Sequence, residues 1–216
     1  TQSTPTRDRS TALQPMPFFS YHHINAYEDS AGRIVLDLIG YRNADIFIGE
    51  YGFAYLEKMQ AKQERDRTVR MGEIWRFELD PGAPPGTKVE PRVLPIVDRQ
   101  GHRYQLELPT INPQYNGRHH CFVYGYSSFI EGSESYTQWA LVKQDVCNGE
   151  TKVWRKRNHY PFEPIFVPNP EGQAEDDGVI LTTVLDGPKG TSYLLVLDAQ
   201  TMETLATAHA PIPQPM

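Results

Sequence analysis

Two adjacent histidines, His22 and His23, stand in the stretch FFSYHHINAYED, between an aromatic run and an acidic turn. Imidazole is the commonest protein ligand for transition metals, so the doublet raises the question of a metal site. In a strand, neighbouring side chains point to opposite faces, and one of the two at most can reach a given site. A histidine on an apolar strand is more often a hydrogen-bonded core residue than a ligand. His119-His120 repeats the doublet after Asn116-Gly117 and reads as a polar hairpin end, while His102, His159 and His209 stand alone. Glu107 in YQLELP and Glu163 in FEPIFV lie in or beside apolar runs, where a carboxylate is costly unless paired. Each reads either as an exposed edge residue or as an acceptor that fixes a ligating imidazole through its other N–H.

Other chemistries lack their spacing. The acidic turn Glu175-Asp176-Asp177-Gly178 does not have the ligand periodicity of a calcium loop and reads as a strand entry. Gly187-Pro188-Lys189-Gly190-Thr191-Ser192 lacks the phosphate-loop spacing and reads as a hairpin connection. No nucleophile-elbow serine or catalytic-cysteine context occurs.

Any site must be positioned by strands. Period-two runs bounded by turn residues predict strands at Phe18–His23, Arg33–Tyr41, Glu73–Leu79, Tyr104–Leu108, Cys121–Ser127, Trp139–Val146 and Thr151–Arg155. Pro164–Val167, Val179–Leu185, Ser192–Leu197 and Thr204–His209 follow. Asn116-Gly117 and Asn148-Gly149 tolerate positive φ and predict tight hairpins. Residues 51–70 are rich in helix formers and predict a single short helical insertion. Residues 1–17 are polar and broken by proline, a loop or frayed end, and 18–216 form the folded part. The class is all-β. Antiparallel sets of three or four strands suggest propeller blades, with a β-sandwich as the alternative.

Composition narrows the partners. The net charge of −6 offers no basic face and argues against nucleic acid. Two cysteines, Cys121 and Cys147, and no glycosylation sequon lean towards a reducing, cytoplasmic setting, although one disulfide stays open. No run is long and apolar enough to span a bilayer, and no signal peptide is visible; peripheral membrane association stays open.

The stretches FFSYHHINAYED, LELPTIN, EPIFVPNPEGQAEDDGVILTTVLD and SYLLVLDAQTMETLATAHAPIP together resemble the carotenoid cleavage oxygenase family, from about Phe18 to the end and more weakly over 51–105. That family includes β-carotene oxygenases and the retinal pigment epithelium isomerohydrolase. The resemblance implies part of a seven-bladed β-propeller that holds a non-haem Fe(II) on its axis through four histidines, three of them backed by glutamates. The ligating position of the family motif falls on His22, and His23 falls on a variable one. Glu107 and Glu163 match two of the backing glutamates.

The activity implied is cleavage of a conjugated C=C bond in a carotenoid or apocarotenoid by O2, giving aldehyde or ketone products. A retinyl-ester isomerohydrolase reaction on the same shell, or a non-enzymatic binding propeller, are the alternatives. The resemblance places two further ligating histidines before His22 and one after Ile212-Pro213, outside this sequence. The chain therefore reads as a C-terminal portion covering somewhat under half of a full enzyme, and is expected to be inactive alone.

Overall fold

The computed structural model describes residues 14–15, 17–45, 72–128 and 139–210. The helix expected over 51–70 and most of the 1–17 segment lie outside these residues. Gln14–Pro15, placed by sequence in a loop, pairs in parallel with Lys88–Val89.

Three antiparallel sheets follow one another along the chain. The first orders His23–Glu28, Ile34–Gly40, Glu73–Leu79 and Arg92–Leu94; the second orders Glu107–Thr110, Phe122–Ser127, Ala140–Asp145 and Thr151–Arg155. In the third, Gly178–Asp186 is flanked on one edge by His159–Pro161 and Ile165–Pro168 and on the other by Thr191–Asp198, then Thr204–His209. Almost every connection joins strands adjacent in sequence, so each sheet is a local meander.

What makes these meanders blades is burial on both faces. In the second sheet, Val123, Ala140 and Val142 pack with Ile39, Ile74 and Leu94 of the first. Their alternates Tyr124, Tyr126 and Leu141 pack with Ile180, Val184, Tyr193 and Leu195 of the third. Ala140–Asp145 is buried at every position. A sandwich sheet buries one face and wets the other, so this stacking of three sheets excludes the β-sandwich alternative for the described residues. The outer face of the third sheet is apolar and open: Ile165 is 60% and Leu205 57% exposed, and Leu181 and Val196 lie in register with Ile165.

One expected strand and one expected turn are displaced, and Arg92–Leu94 and His159–Pro161 are strands the pattern did not predict. Regular pairing begins at His23 and runs on to Glu28, whereas Phe19 makes only an isolated bridge to Tyr41. The Ser20 hydroxyl donates to the His22 carbonyl at 3.3 Å, a local bond that bends the chain, and a register shift follows between His23 and Asn25. His22 thus precedes the strand. Asn116-Gly117 is not a tight hairpin turn but follows a 3₁₀ turn at Pro113–Tyr115 in a longer connection. By contrast, Asn148-Gly149 closes the hairpin expected of it, with Gly149 at φ 81°.

The connection at 111–121 is locked by a buried polar cluster. His120, expected at a polar hairpin end, is fully buried. Its Nε2 lies 3.3 Å from Asp37, which receives two bonds from the Arg76 guanidinium at 2.7 and 2.6 Å. Its Nδ1 lies 3.2 Å from the Asn25 amide, which donates to the Tyr115 and Arg118 carbonyls. Asn25 Oδ1 in turn accepts from Ala26 and Gly117 N–H. Strand His23–Glu28 is thereby tied to the loop of the next sheet. The sequence missed this because nothing local distinguishes a solvated histidine doublet from one folded under a neighbouring sheet.

Burial lowers the His120 pKa to about 4; the Asp37 charge opposes that shift and the Arg76 charge adds to it. Because Asp37 is already neutralised by Arg76, burial prevails. The unfolded chain takes up this proton near 6.5 and the folded chain only near 4, so the unfolded state binds more protons in between. Stability is therefore expected to fall by roughly 3 kcal/mol as pH drops from about 6.5 to about 4. Urea titrations across this range should show that slope in the native chain and a flatter one in His120→Gln.

Candidate functional site

The strand edges of the first two sheets converge on Glu107. Its side chain is 5% exposed, and three donors hold it. His22 Nδ1 lies 2.6 Å from Oε2, the Leu108 N–H donates to the same oxygen at 3.0 Å, and the Tyr41 hydroxyl donates to Oε1 in a very short bond. A buried carboxylate is tolerable only with such satisfaction. Burial, followed by the Glu107 charge, raises the Tyr41 pKa far above the ordinary phenol value, so Tyr41 stays a donor throughout the working pH range.

This geometry sets the orientation of His22. A carboxylate accepts, so the Nδ1 atom facing Glu107 is the donor of the pair, and Nε2 is the ring nitrogen that Glu107 does not engage. The imidazole side chain is 40% exposed and stacks near Tyr21, with ring centroids 6.2 Å apart. Tyr21 packs edge-on against Phe19 and Tyr41. The Ile39 N–H donates to the His22 carbonyl at 2.9 Å and holds the backbone. The result is an oriented imidazole whose second nitrogen bonds no described residue, the arrangement in which a transition metal takes an imidazole as ligand.

Two backbone features bring Glu107 there. Leu108 adopts φ 48°, a left-handed conformation rare for a branched residue, which turns its N–H back onto the Glu107 carboxylate. Opposite, strand Phe122–Ser127 carries Gly125, where an added Cβ would lie 2.6 Å from Leu106 Cγ and 2.8 Å from the Glu107 carbonyl. The strand expected at Tyr104–Leu108 is accordingly broken at Gln105-Leu106, into Arg103–Tyr104 and Glu107–Thr110. Tyr41, Leu108 and Gly125 escaped the sequence reading, since no periodic signal links position 41 or 125 to 107.

Of the residues singled out by sequence, His22 and Glu107 are brought together and Glu163 is not. Glu163 is exposed, just before Ile165–Pro168, and no hydrogen bond joins it to a described residue. His23 is exposed and pairs with Leu38 in the ladder. His209 lies on the exposed strand Thr204–His209, its ring 5.2 Å from that of Tyr193, and His102 is bonded to Asp98 at 3.0 Å. The acidic turn is structural, as expected: Glu175 accepts from the Cys121 and Phe122 N–H groups, and Asp176 pairs with Lys143. Cys121 and Cys147 form a disulfide, the arrangement the composition had left open against its lean to a reducing setting.

As a metal centre, the His22 site offers one suitable donor. Its carboxylate-backed imidazole fits a transition-metal ligand, and among the described residues His22 belongs to no group of three or more potential ligands. A stable site needs donors from elsewhere.

The family model described as retinal pigment epithelial membrane protein matches residues 2–216. A carotenoid isomerooxygenase of Galleria mellonella is 37% identical over 204 residues, covering 93% of this chain and 37% of that protein. Human beta,beta-carotene 15,15'-dioxygenase is 31% identical over 206 residues, covering 87% of this chain and 36% of its own length. The crystal structure of cobalt-substituted Synechocystis ACO superposes with a TM-score of 0.71 at 29% identity, covering 92% of this chain and 38% of that one. The chain thus spans somewhat over a third of the length of these relatives.

Replacing Gly125 by Val is expected to push strand Glu107–Thr110 outward, since backbone as well as Leu106 blocks the new side chain. The overpacking cost is about 1–3 kcal/mol, read by chemical denaturation, with a weakened His22–Glu107 bond seen in the His22 imidazole NMR shifts.

Proposed function

The chain belongs to the retinal pigment epithelial membrane protein family, and on that premise we propose that the whole protein cleaves a conjugated C=C bond of a carotenoid or apocarotenoid with O2. His22 serves in it as one ligand of a non-haem Fe(II). The observation that carries this reading is the 2.6 Å bond from His22 Nδ1 to the buried Glu107 carboxylate. Bound iron would supply the redox chemistry with O2 that no side chain offers.

The residues of this chain do the preparation. Glu107 holds the proton of His22 on Nδ1 and makes Nε2 more basic, without becoming a ligand itself. Tyr41 and the Leu108 N–H hold Glu107, so the imidazole cannot swing. A neutral imidazole leaves the metal its full charge, while Tyr21 and Phe19 beside it give an apolar aromatic wall suited to an uncharged polyene. Exposed Glu163 is read as the acceptor for a second ligating imidazole, supplied by a segment other than those described. The relatives named as dioxygenases favour oxidative cleavage over the isomerohydrolase alternative.

Product analysis of the whole protein with a carotenoid under O2 is the direct test. Aldehyde or ketone fragments support the reading; isomerised retinol from a retinyl ester, with no cleavage, would overturn it. In the whole protein His22→Ala should abolish stoichiometric iron and His23→Ala should mostly spare it. Glu107→Gln should weaken iron binding by roughly ten- to a hundred-fold. Equal loss in the two histidine variants would sink the assignment. The 216-residue chain by itself is expected to retain no stoichiometric Fe(II) and to leave β-carotene uncleaved, as elemental analysis and chromatography would show.

A further inference from the structure

At the opposite end of strand His23–Glu28 from His22, a second set of metal-competent side chains meets on the rim of the second sheet. The Cys121–Cys147 disulfide joins the entry of strand Phe122–Ser127 to the turn after Ala140–Asp145. His119 Nε2 lies 3.9 Å from Cys147 Sγ, and its ring packs edge-on against Tyr27, centroids 5.5 Å apart. The imidazole nitrogen and the two sulfurs all lie within 4.8 Å of one another. His119 and Cys147 are exposed and Cys121 half-buried, so reductants and ions can reach them.

We propose that this rim is a redox-gated metal site: with the Cys121–Cys147 bond opened, both thiolates and the His119 imidazole bind one thiophilic ion of the zinc class; with it closed, they bind none. A dithiol reductant opens it by thiolate exchange. The reductant loses two electrons and two protons and becomes a disulfide, while Cys121 and Cys147 become thiols. Metal binding then displaces the two thiol protons.

The geometry does not depend on the sulfur–sulfur bond, which is what a gated site needs. The Val146 N–H donates to the Cys121 carbonyl at 2.8 Å, continuing the ladder that pairs Phe122 with Asp145. The Asp145 carboxylate accepts from the Cys147 and Asn148 N–H groups, each at 2.8 Å, and from the Asn148 side chain at 3.0 Å. Both cysteines therefore stay side by side as thiols, and side-chain rotation is enough to part the sulfurs. Tetrahedral zinc, with bonds of about 2.3 Å to sulfur and about 2.0 Å to nitrogen, asks for ligand atoms roughly 3.5 Å apart, close to the present His119–Cys147 separation. Water completes the fourth position. The Glu175 carboxylate, bonded to the Cys121 N–H at 2.9 Å, adds negative charge beside the site. While oxidised, neither sulfur has a thiolate lone pair to give, and one imidazole alone holds no ion.

The test uses the 216-residue chain carrying His22→Ala, which removes the other oriented imidazole, and the metals alone as probes. After reduction and removal of reductant, one equivalent of Zn(II) should bind, and Co(II) should show thiolate-to-metal charge-transfer absorption. The oxidised chain should show neither. Cys147→Ser should abolish the absorption, and His119→Ala should weaken zinc binding by roughly tenfold or more. Zinc bound equally before and after reduction, no zinc on the reduced chain, or a charge-transfer band that survives Cys147→Ser would each overturn the proposal. Cys121→Ala/Cys147→Ala reports on the scaffold by circular dichroism: retained structure is expected, and unfolding overturns the proposal too, because the ladder would then not hold the residues without the bond.

Discussion

The constraint on which the described structure depends is that the second sheet has no wet face in its middle. Alternate residues of Phe122–Ser127 and Ala140–Asp145 leave in opposite directions, and each direction ends in another sheet's core. Fixing the sheets face to face in this way sets the distance between their leading edges. His23–Glu28 and Glu107–Thr110 are those edges, and the His22–Glu107 contact forms where they adjoin. The site is a consequence of blade stacking, not of any local motif.

Placing a carboxylate at that seam is costly, and the fold offsets the cost by redundancy. Glu107 takes a phenol from the end of one strand, an amide N–H from its own left-handed neighbour, and an imidazole from the bend before another strand. Each donor comes from a different backbone feature, so the imidazole is oriented by the fold as a whole. The Asp37–Arg76–His120–Asn25 cluster plays a parallel part at the other side of the same strand. There His120 is fully buried and the cluster joins two sheets through polar atoms, whereas the His22 side chain is 40% exposed. That difference in exposure is what leaves His22, unlike His120, open to a ligand on the proposed reading.

The open apolar face of the third sheet follows the same logic in reverse. Ile165, Leu181, Val196 and Ala206 stand in one register row, patterned like the inward rows of the second sheet, and no described element covers them. The stacking pattern is therefore written in the strands themselves: a blade carries apolar residues on both faces whether or not both have partners.

Much was legible along the chain. Alternation and turn residues placed most of the longer strands to within a residue or two, because a strand's period and a turn's positive φ are local properties, whereas the three-residue strands Arg92–Leu94 and His159–Pro161 are too short to show a period. Thr151–Arg155 and Thr204–His209 emerge as expected, and the Asn148-Gly149 hairpin closes as its dipeptide demands. His22 and Glu107 were found through their resemblance to a family pattern, with no local sign that they touch. What only the tertiary structure decided is the set of facts that join distant positions: Tyr41 with Glu107, Gly125 beneath Leu106, His120 buried under the first sheet, and Cys121 beside Cys147 and His119. The reason is physical. Sequence pattern reports which way a side chain points relative to its own strand, whereas the energy of a buried carboxylate, imidazole or sulfur is set by what the neighbouring sheet brings to meet it.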